Sequence, residues 1–204
     1  TSAPHLAGAT EIIAHRGASH DAPENTLASM RLGYEQGADA GELDIHLSRD
    51  GRVVVHHDYD TGRSAGLKKP LVEQTFAELR ALEIGQWGRW QGSAFREKIP
   101  LLEEVLAVIP ADRRLFIEIK VHEEILPELE RVFRASGIAP ARLPIITFHY
   151  EVAREAKRRL PGHEVYWIVG AGADKTTGRV PDLAELMAKA KAAGLDGLDL
   201  NFQF

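Results

Sequence analysis

Short apolar runs alternate with longer amphipathic stretches along this chain, and the alternation predicts strands and helices in turn. The apolar runs are too brief for helices and are rich in Val and Ile, as is typical of strands buried on both faces. Seven strands are predicted, at residues 11–14, 38–45, 52–56, 115–119, 144–147, 164–169 and 197–200. Strands alternating with helices favour an α/β fold with a parallel sheet.

The stretches between these strands carry helix start and stop signals. Asn25 is expected to cap a helix over residues 26–36, which Gly37 would end. Asp182 is expected to cap another helix over residues 183–193, which Gly194 would end. Further helices are predicted at residues 75–83, 101–109, 126–135 and 151–160.

This order of elements predicts a (β/α)8 TIM barrel. An open doubly wound sheet is disfavoured, because no glycine-rich dinucleotide fingerprint follows the first strand. We expect a single domain over residues 1–204, with the eighth strand and its helix absent because the chain ends at Phe204. The connection over residues 58–99 is unusually long, and loops of that length are more often functional than idle. Its Trp87 and Trp90 are expected to pack in its own core.

Composition narrows the class of protein. The chain has 204 residues, of which 44% are hydrophobic and 27% charged, as in ordinary globular domains. The formal net charge of -5 argues against broad nucleic-acid binding. An acidic protein that handles phosphate esters must neutralise their charge locally, with Arg, Lys or a bound cation. The chain has no cysteine, so disulfides and thiol chemistry are excluded.

Targeting signals are weak. No apolar run approaches the ~20 residues that a membrane span needs, so stable membrane insertion is not expected. The segment from Thr1 to Ala9 is small and weakly polar, which fits either a mature chain after signal-peptide removal or a trimmed one. The location is therefore left open between cytoplasm and periplasm or secretion, and the sequence does not determine the oligomeric state.

Ionisable side chains occur where four consecutive predicted strands end. They are His15, Glu42, Asp44, His57, Glu118 and Lys120. Residues two apart share a face of a strand, so Glu42 and Asp44 point the same way, as do Glu118 and Lys120. Barrel enzymes place their active sites at the carboxyl ends of the strands. One such residue alone is more often structural, but the convergence of five of them, the two histidines and the three carboxylates, on one rim predicts an active site.

The residue types indicate the chemistry. Three carboxylates without cysteine or clustered histidine ligands suggest a hard cation, Mg²⁺ or Ca²⁺. His15 and His57 are not needed as ligands and can serve as general acid and base. Arg16 offers a forked donor suited to a phosphate, and Lys120 adds a point charge. Together these side chains predict a site for a phosphodiester.

Three neighbouring residues are given other roles. His56 is expected to face away from His57 and to pack or lie at the surface. Asn25 is interpreted as the helix cap, and Glu24 as a brace for the rim of the active site.

Several motifs occur in order over the first 120 residues. They are His15-Arg16-Gly17-Ala18, Pro23-Glu24-Asn25-Thr26, Glu42-Leu43-Asp44, Val54-Val55-His56-His57-Asp58 and Ile117-Glu118-Ile119-Lys120. This combination resembles the signature of the glycerophosphodiester phosphodiesterase family, and it is far more specific than any one motif alone. Gly41 departs from the resemblance, because the family usually has a larger apolar residue there, and looser local packing is expected.

The resemblance implies a (β/α)8 barrel with a small insertion after the third strand, here residues 59–97. It also implies the hydrolysis of small glycerophosphodiesters to an alcohol and glycerol 3-phosphate with one divalent cation. The implied roles are metal binding by Glu42, Asp44 and Glu118, acid/base catalysis by His15 and His57, and phosphate binding by Arg16 and Lys120.

Two alternatives remain open. Relatives on this barrel cleave phospholipids or lysophospholipids, but such enzymes need an apolar rim, and no strongly hydrophobic loop is evident in the sequence. A barrel that binds phosphorylated ligands without turnover is the other alternative. The presence of both histidines counts against it, because a pure binder needs neither.

Overall fold

The structure of this chain is a computed structural model, and it describes residues 10–170, 172, 178 and 180–200. The nine strands in these residues are β1 (Ile13–Ala14), β2 (Ala40–Leu47), β3 (Val53–Val55), β4 (Asp60–Thr61), β5 (Leu67–Pro70), β6 (Arg114–Ile119), β7 (Ile145–Thr147), β8 (Val165–Val169) and β9 (Gly197–Leu200). The seven α-helices are α1 (Leu27–Glu35), α2 (Gly62–Ala65), α3 (Phe76–Ala81), α4 (Leu102–Leu106), α5 (Leu126–Ser136), α6 (Tyr150–Arg159) and α7 (Leu183–Ala192). The segment 1–9 and the chain end at Phe204, which carried sequence expectations, lie outside the described residues.

Six strands form a parallel sheet in the order β1-β2-β6-β7-β8-β9. The third predicted strand departs from the expected parallel arrangement. β3 runs antiparallel to the carboxyl half of β2, with Ile45 opposite Val55. Only a short turn separates β2 from β3, whereas a parallel crossover needs a dozen or more residues. The turn includes Gly51 with φ 74° and a bond from the Ser48 hydroxyl to Asp50.

The two faces of the sheet have different partners. On one face, Leu43 and Ile45 of β2 pack into the main core with residues of α4, α5 and α6 such as Val105, Leu129 and Val152. The opposite face is concave, and residues from β1, β2, β6, β8 and β9 line one cavity of about 640 Å³ on it. The curled parallel sheet is thus a half-barrel with its polar residues on the inside.

Residues 59–97, which we call the connecting segment, carry a smaller sheet and core. β4 pairs antiparallel with β5, and an apolar cluster that includes Val54, Leu71 and Ile99 lies beneath them. Trp87 and Trp90 are not members of this cluster, so their predicted place in the segment's core is wrong. Each lies instead against an arginine side chain at the surface, and both are only half-buried.

The first helix begins one residue later than predicted, and a different residue caps it. Thr26, not Asn25, is the N-cap of α1, and its hydroxyl accepts a hydrogen bond from the Ser29 N–H at 3.1 Å. Asn25 has φ 57°, in the left-handed region, whereas an N-cap residue adopts extended backbone. The other predicted helices are present, although α4 covers only Leu102–Leu106 of the expected 101–109. No helix in the described part of the chain is long and apolar enough to cross a membrane.

Candidate active site

Three buried carboxylates meet at the carboxyl ends of β2 and β6. Asp44 lies directly opposite Glu118 in the parallel register, and Glu42 lies two residues before Asp44 on the same face. Asp44 is 0%, Glu42 4% and Glu118 7% exposed. One oxygen from each side chain lies within 4.8 Å of the others. The structure therefore brings together the three residues for which the sequence predicted metal binding.

These carboxylates are incompletely satisfied by the protein. Among the described residues, neither Glu42 Oε1 nor Asp44 Oδ1 has a hydrogen-bond partner, although both atoms are buried. Lys120 Nζ lies 3.3 Å from Asp44 Oδ1, in ion-pair range but without hydrogen-bond geometry. Buried anionic oxygens without partners are costly unless a cation or donor reaches them. An all-oxygen donor set of this kind fits a hard divalent cation.

The pKa shifts of two of these carboxylates also fit a bound cation. Burial and the neighbouring charge of Asp44 raise the pKa of Glu42 to about 8. Burial likewise raises the pKa of Glu118 above its ordinary value of 4.5. Both shifts reflect the cost of holding several negative charges in a desolvated site. A cation among the carboxylates would remove that cost.

Asn25 orients the most buried carboxylate. Its Nδ2 donates to Asp44 Oδ2 at 2.7 Å, and its Oδ1 accepts the Asp44 backbone N–H at 3.1 Å. The left-handed backbone of Asn25 aims the amide at β2 rather than at the start of α1. Asn tolerates that conformation better than most residues, which is the only sequence signal for this role.

The strand β1 ends in a tight turn that places His15 and Arg16 at the rim. Arg16 has φ 58°, and its backbone N–H donates to Glu42 Oε2 at 2.8 Å. Gly17 follows with φ 74°, and a Cβ there would lie 2.5 Å from the carbonyl carbon of Ser29, so only glycine fits. His15 faces the cavity with Nε2 3.9 Å from Glu42 Oε2. Partial desolvation of the ring and the charge of Arg16 lower the pKa of His15 below 6.5.

His57 lines the same cavity as His15, Glu42 and Glu118. Its Nδ1 lies 2.7 Å from Asp58 Oδ1. Asp58 is in turn bound by Arg63, whose Nε donates to Oδ2 at 2.6 Å. Burial alone would raise the pKa of Asp58, but the hydrogen bonds from Arg63 and His57 outweigh it and hold that pKa well below its usual range. Asp58 is therefore an anion that accepts the Nδ1–H of His57.

Two cationic side chains flank the carboxylates. Lys120 Nζ donates to Glu118 Oε1 at 2.8 Å. Arg16 donates through Nη1 to Glu24 Oε1 at 3.1 Å, and its Nε lies 3.4 Å from Asp44 Oδ2. Both cations line the cavity, as predicted from their positions beside the strand ends. Glu24 reaches this rim as expected.

Two further histidines, His46 and His56, lie close to the site but do not line its cavity. His56 is buried, with Nε2 2.8 Å from the Ser64 hydroxyl, so it packs as expected. His46 is also buried, and burial lowers its pKa to about 4, which keeps it neutral near pH 7.

Gly41 has a packing role that the sequence did not suggest. A Cβ at this position would lie 2.8 Å from the hydroxyl oxygen of Tyr34. That hydroxyl donates to the Arg114 carbonyl oxygen at 2.9 Å. The expectation of looser packing is wrong, because the space above Gly41 is filled by the Tyr34 ring.

Like Asn25, Asp58 and Arg63 have roles in this site that the sequence did not reveal. Asp58 stands next to a candidate catalytic histidine, which could have marked it. Arg63 lies in the connecting segment, where neither periodicity nor a strand end distinguishes it.

Comparison with known proteins gives a consistent result. Residues 15–198 match the model of the Glycerophosphoryl diester phosphodiesterase family. A glycerophosphodiester phosphodiesterase of Caldanaerobacter subterraneus subsp. tengcongensis is 34% identical over 158 residues, which cover 74% of this chain and 63% of that protein. Glycerophosphodiester phosphodiesterase 1 of Homo sapiens is 40% identical over 111 residues, which cover 54% of this chain and 34% of that protein. This chain thus matches only part of the length of its curated relatives.

One solved structure is similar to this chain both in fold and in sequence. An Oleispira antarctica phosphodiesterase in complex with the product sn-glycerol-3-phosphate superposes with a TM-score of 0.78 and 30% sequence identity. The superposition covers 94% of this chain and 74% of that chain.

Proposed function

Because the chain belongs to the glycerophosphoryl diester phosphodiesterase family, we propose that it hydrolyses a small glycerophosphodiester to an alcohol and glycerol 3-phosphate. The similar Oleispira antarctica enzyme in complex with sn-glycerol-3-phosphate supports this choice of product. The observation that carries the proposal is the cavity on the concave face. There, three buried carboxylates, two of which have an unpaired oxygen, lie among two histidines and two cations.

We propose that Glu42, Asp44 and Glu118 hold one divalent cation, Mg²⁺ or Ca²⁺. The two unpaired buried oxygens and the raised pKa of Glu42 support this assignment. Such a cation would polarise the phosphoryl oxygens and lower the pKa of an attacking hydroxyl.

The protein's own side chains would bind the phosphate and move the protons. Arg16 and Lys120 would neutralise the non-bridging oxygens, which an acidic protein must do locally. One of His15 and His57 would take the proton of the nucleophile while the other protonates the leaving alkoxide. The bond from His57 Nδ1 to Asp58 leaves Nε2 as the atom for proton transfer in the neutral ring.

The half-barrel would be part of a single (β/α)8 domain in which residues 59–97 form an insertion after the third strand. The described parallel sheet has six strands and ends at β1 and β9, so a closed eight-stranded barrel would have two further strands between them. The resemblance of the curled sheet to solved phosphodiesterase structures supports this arrangement.

One observation favours a lipid substrate as a second candidate. Phe148 is 55% exposed and lines the cavity, and Tyr59 and Val72 of the connecting segment are 64% and 50% exposed. These side chains could contact an acyl chain, as in a lysophospholipase D-like phosphodiesterase. A test of function therefore needs both substrate classes.

The test follows glycerol 3-phosphate release from glycerophosphocholine and glycerophosphoethanolamine, with EDTA and after addition of Mg²⁺ or Ca²⁺. Choline release from lysophosphatidylcholine is measured in parallel. We expect metal-dependent release from the water-soluble diesters, which Glu118→Gln should abolish. Glu124→Gln should retain it, because Glu124 is an exposed carboxylate in the short 3-10 helix Glu123–Ile125 that follows β6. Turnover of the lysolipid alone would favour the second candidate. Metal and phosphate binding without turnover of any substrate would instead indicate a binding module.

A further inference from the structure

We propose that Arg63 is a positioning residue that ties the connecting segment to both sides of the reaction centre. Through Asp58 it fixes the ring of His57, and through Glu24 it fixes the side chain of Arg16. The roles of His57 and Arg16 rest on the proposed function, but the contacts of Arg63 do not.

The first arm of this network ends on His57. Arg63 donates from Nε to Asp58 Oδ2 at 2.6 Å and from Nη2 to Oδ1 at 3.0 Å, so the guanidinium grips both carboxylate oxygens. Asp58 Oδ1 also lies 2.7 Å from His57 Nδ1. An ionised carboxylate only accepts hydrogen bonds, so the neutral His57 ring must carry its proton on Nδ1. The Nε2 lone pair is then free for proton transfer.

The second arm ends on Arg16. Arg63 Nη2 donates to Glu24 Oε1 at 2.7 Å, and the same oxygen accepts from Arg16 Nη1 at 3.1 Å. Two guanidinium groups thus share one carboxylate whose side chain is only 18% exposed. Glu24 keeps the two cations in fixed positions, and Arg16 in turn lies 3.4 Å from the Asp44 carboxylate.

The connecting segment holds Arg63 itself in place. The residue lies in α2, and its guanidinium carbon stacks 4.5 Å from the centre of the Trp87 ring. Trp87 is thereby explained as a support for Arg63 rather than as a core residue. Stacking on an aromatic face while Nε and Nη2 bind two carboxylates requires the planar, forked guanidinium. A lysine keeps the charge but cannot make this set of contacts.

The network predicts a measurable effect on the His57 tautomer. With ¹⁵N-labelled histidine, NMR distinguishes a ring protonated at Nδ1 from one protonated at Nε2, at a pH where the ring is neutral. We expect the Nδ1–H form of His57 in the wild type. In Arg63→Gln we expect a mixture of tautomers, because Asp58 loses the two bonds that hold its carboxylate against Nδ1 and is free to turn away from the ring. Asp58→Asn serves as the positive control, because an amide in place of the carboxylate can donate to Nδ1 and stabilise the other tautomer.

Kinetics provide the second measurement. We expect Arg63→Gln to lower kcat about 10- to 100-fold, the cost typical of a catalytic group held in slightly wrong geometry. KM should change by less than about threefold, because Arg16 keeps its own bond to Glu24 in this variant. Arg63→Lys should recover only part of kcat. The matched control is Arg89→Gln, which removes another arginine of the same segment. Arg89 stacks 4.6 Å from Trp90 and binds the Ser19 carbonyl oxygen, but it contacts none of the proposed catalytic residues.

The two measurements distinguish results that support the role of Arg63 from results that overturn it. A shifted His57 tautomer in Arg63→Gln, with an unchanged tautomer and kcat in Arg89→Gln, supports the proposal. A wild-type tautomer in Arg63→Gln overturns it, as does a kcat loss matched by Arg89→Gln. A wild type that turns over no glycerophosphodiester would refute the proposed function instead, while the tautomer measurement would still report on the network.

Discussion

The buried carboxylate cluster predicts that the cation-free protein loses stability as the pH rises. Burial and the charge of Asp44 raise the pKa of Glu42 from 4.5 to about 8. Below pH 4.5 Glu42 is protonated in both the folded and the unfolded chain and contributes nothing. Between pH 4.5 and 8 the unfolded chain ionises this group while the folded chain keeps the proton, so the free energy of unfolding falls.

The size of this loss follows from the pKa difference. A pKa raised from 4.5 to about 8 corresponds to at most ~5 kcal/mol, fully expressed above pH 8. Between pH 7 and 8 the loss amounts to about 1 kcal/mol. The raised pKa of Glu118 acts with the same sign. A bound divalent cation stabilises the ionised carboxylates, so Mg²⁺ or Ca²⁺ should restore the lost stability.

Urea unfolding between pH 5 and 8.5, with EDTA or with added cation, measures the effect. The difference between wild type and Glu42→Gln reports Glu42 together with its charge interactions with Asp44 and Glu118, and it cancels the titrations elsewhere in the protein. His46 is one of these: its pKa, lowered to about 4 by burial, makes stability fall as the pH drops below 6.5. Glu124→Gln, which removes an exposed carboxylate, should follow the wild type. Parallel pH profiles for cation-free wild type and Glu42→Gln would refute the reasoning.

Three further predictions follow from the geometry of the site. His15→Ala or His57→Ala should each lower turnover of glycerophosphocholine by ~10²–10⁴-fold, as expected for loss of a general acid or base; near-normal turnover in either variant would exclude that histidine. Gly17→Ala should destabilise the protein by roughly 1–3 kcal/mol or more in urea unfolding, because φ is 74° and the added Cβ would lie 2.5 Å from a carbonyl carbon. Asn25→Ala should weaken Mg²⁺ or Ca²⁺ binding about 10- to 100-fold in calorimetry, since Asp44 loses two hydrogen bonds that orient it; unchanged affinity would show that Asp44 needs no such support.

Much of the fold and of the candidate site could be predicted from local pattern alone. The strand over residues 197–200 was predicted with its observed bounds, and helix α5 was predicted to within one residue. The two-residue period of a strand placed Glu42 and Asp44 on one face. Because the carboxyl ends of parallel strands share an edge, Glu118 of the neighbouring strand was expected beside them.

What escaped prediction depends on contacts between residues far apart in the sequence. The direction of β3 follows from its pairing with β2, and an apolar run of three residues carries no information about direction. Asn25 is of a residue type that commonly caps helices, yet its side-chain amide binds Asp44, which lies 19 residues further along the chain. Arg63 donates a hydrogen bond to Glu24, which lies 39 residues earlier in the sequence.

The sequence by itself determined the seven strands and the helices between them, though not β4, β5 and α2 of the connecting segment, and it determined which ionisable groups gather at the strand ends. These features follow from the periodicity of burial, which is a local property of the chain. Only the tertiary structure decided which atoms find a partner and which do not. It left one oxygen each of Glu42 and Asp44 unpaired, and it linked Arg63 to His57 through Asp58. Hydrogen bonds and ion pairs require atoms to meet within about 3 Å in a fixed direction, and only the folded backbone sets distances on that scale.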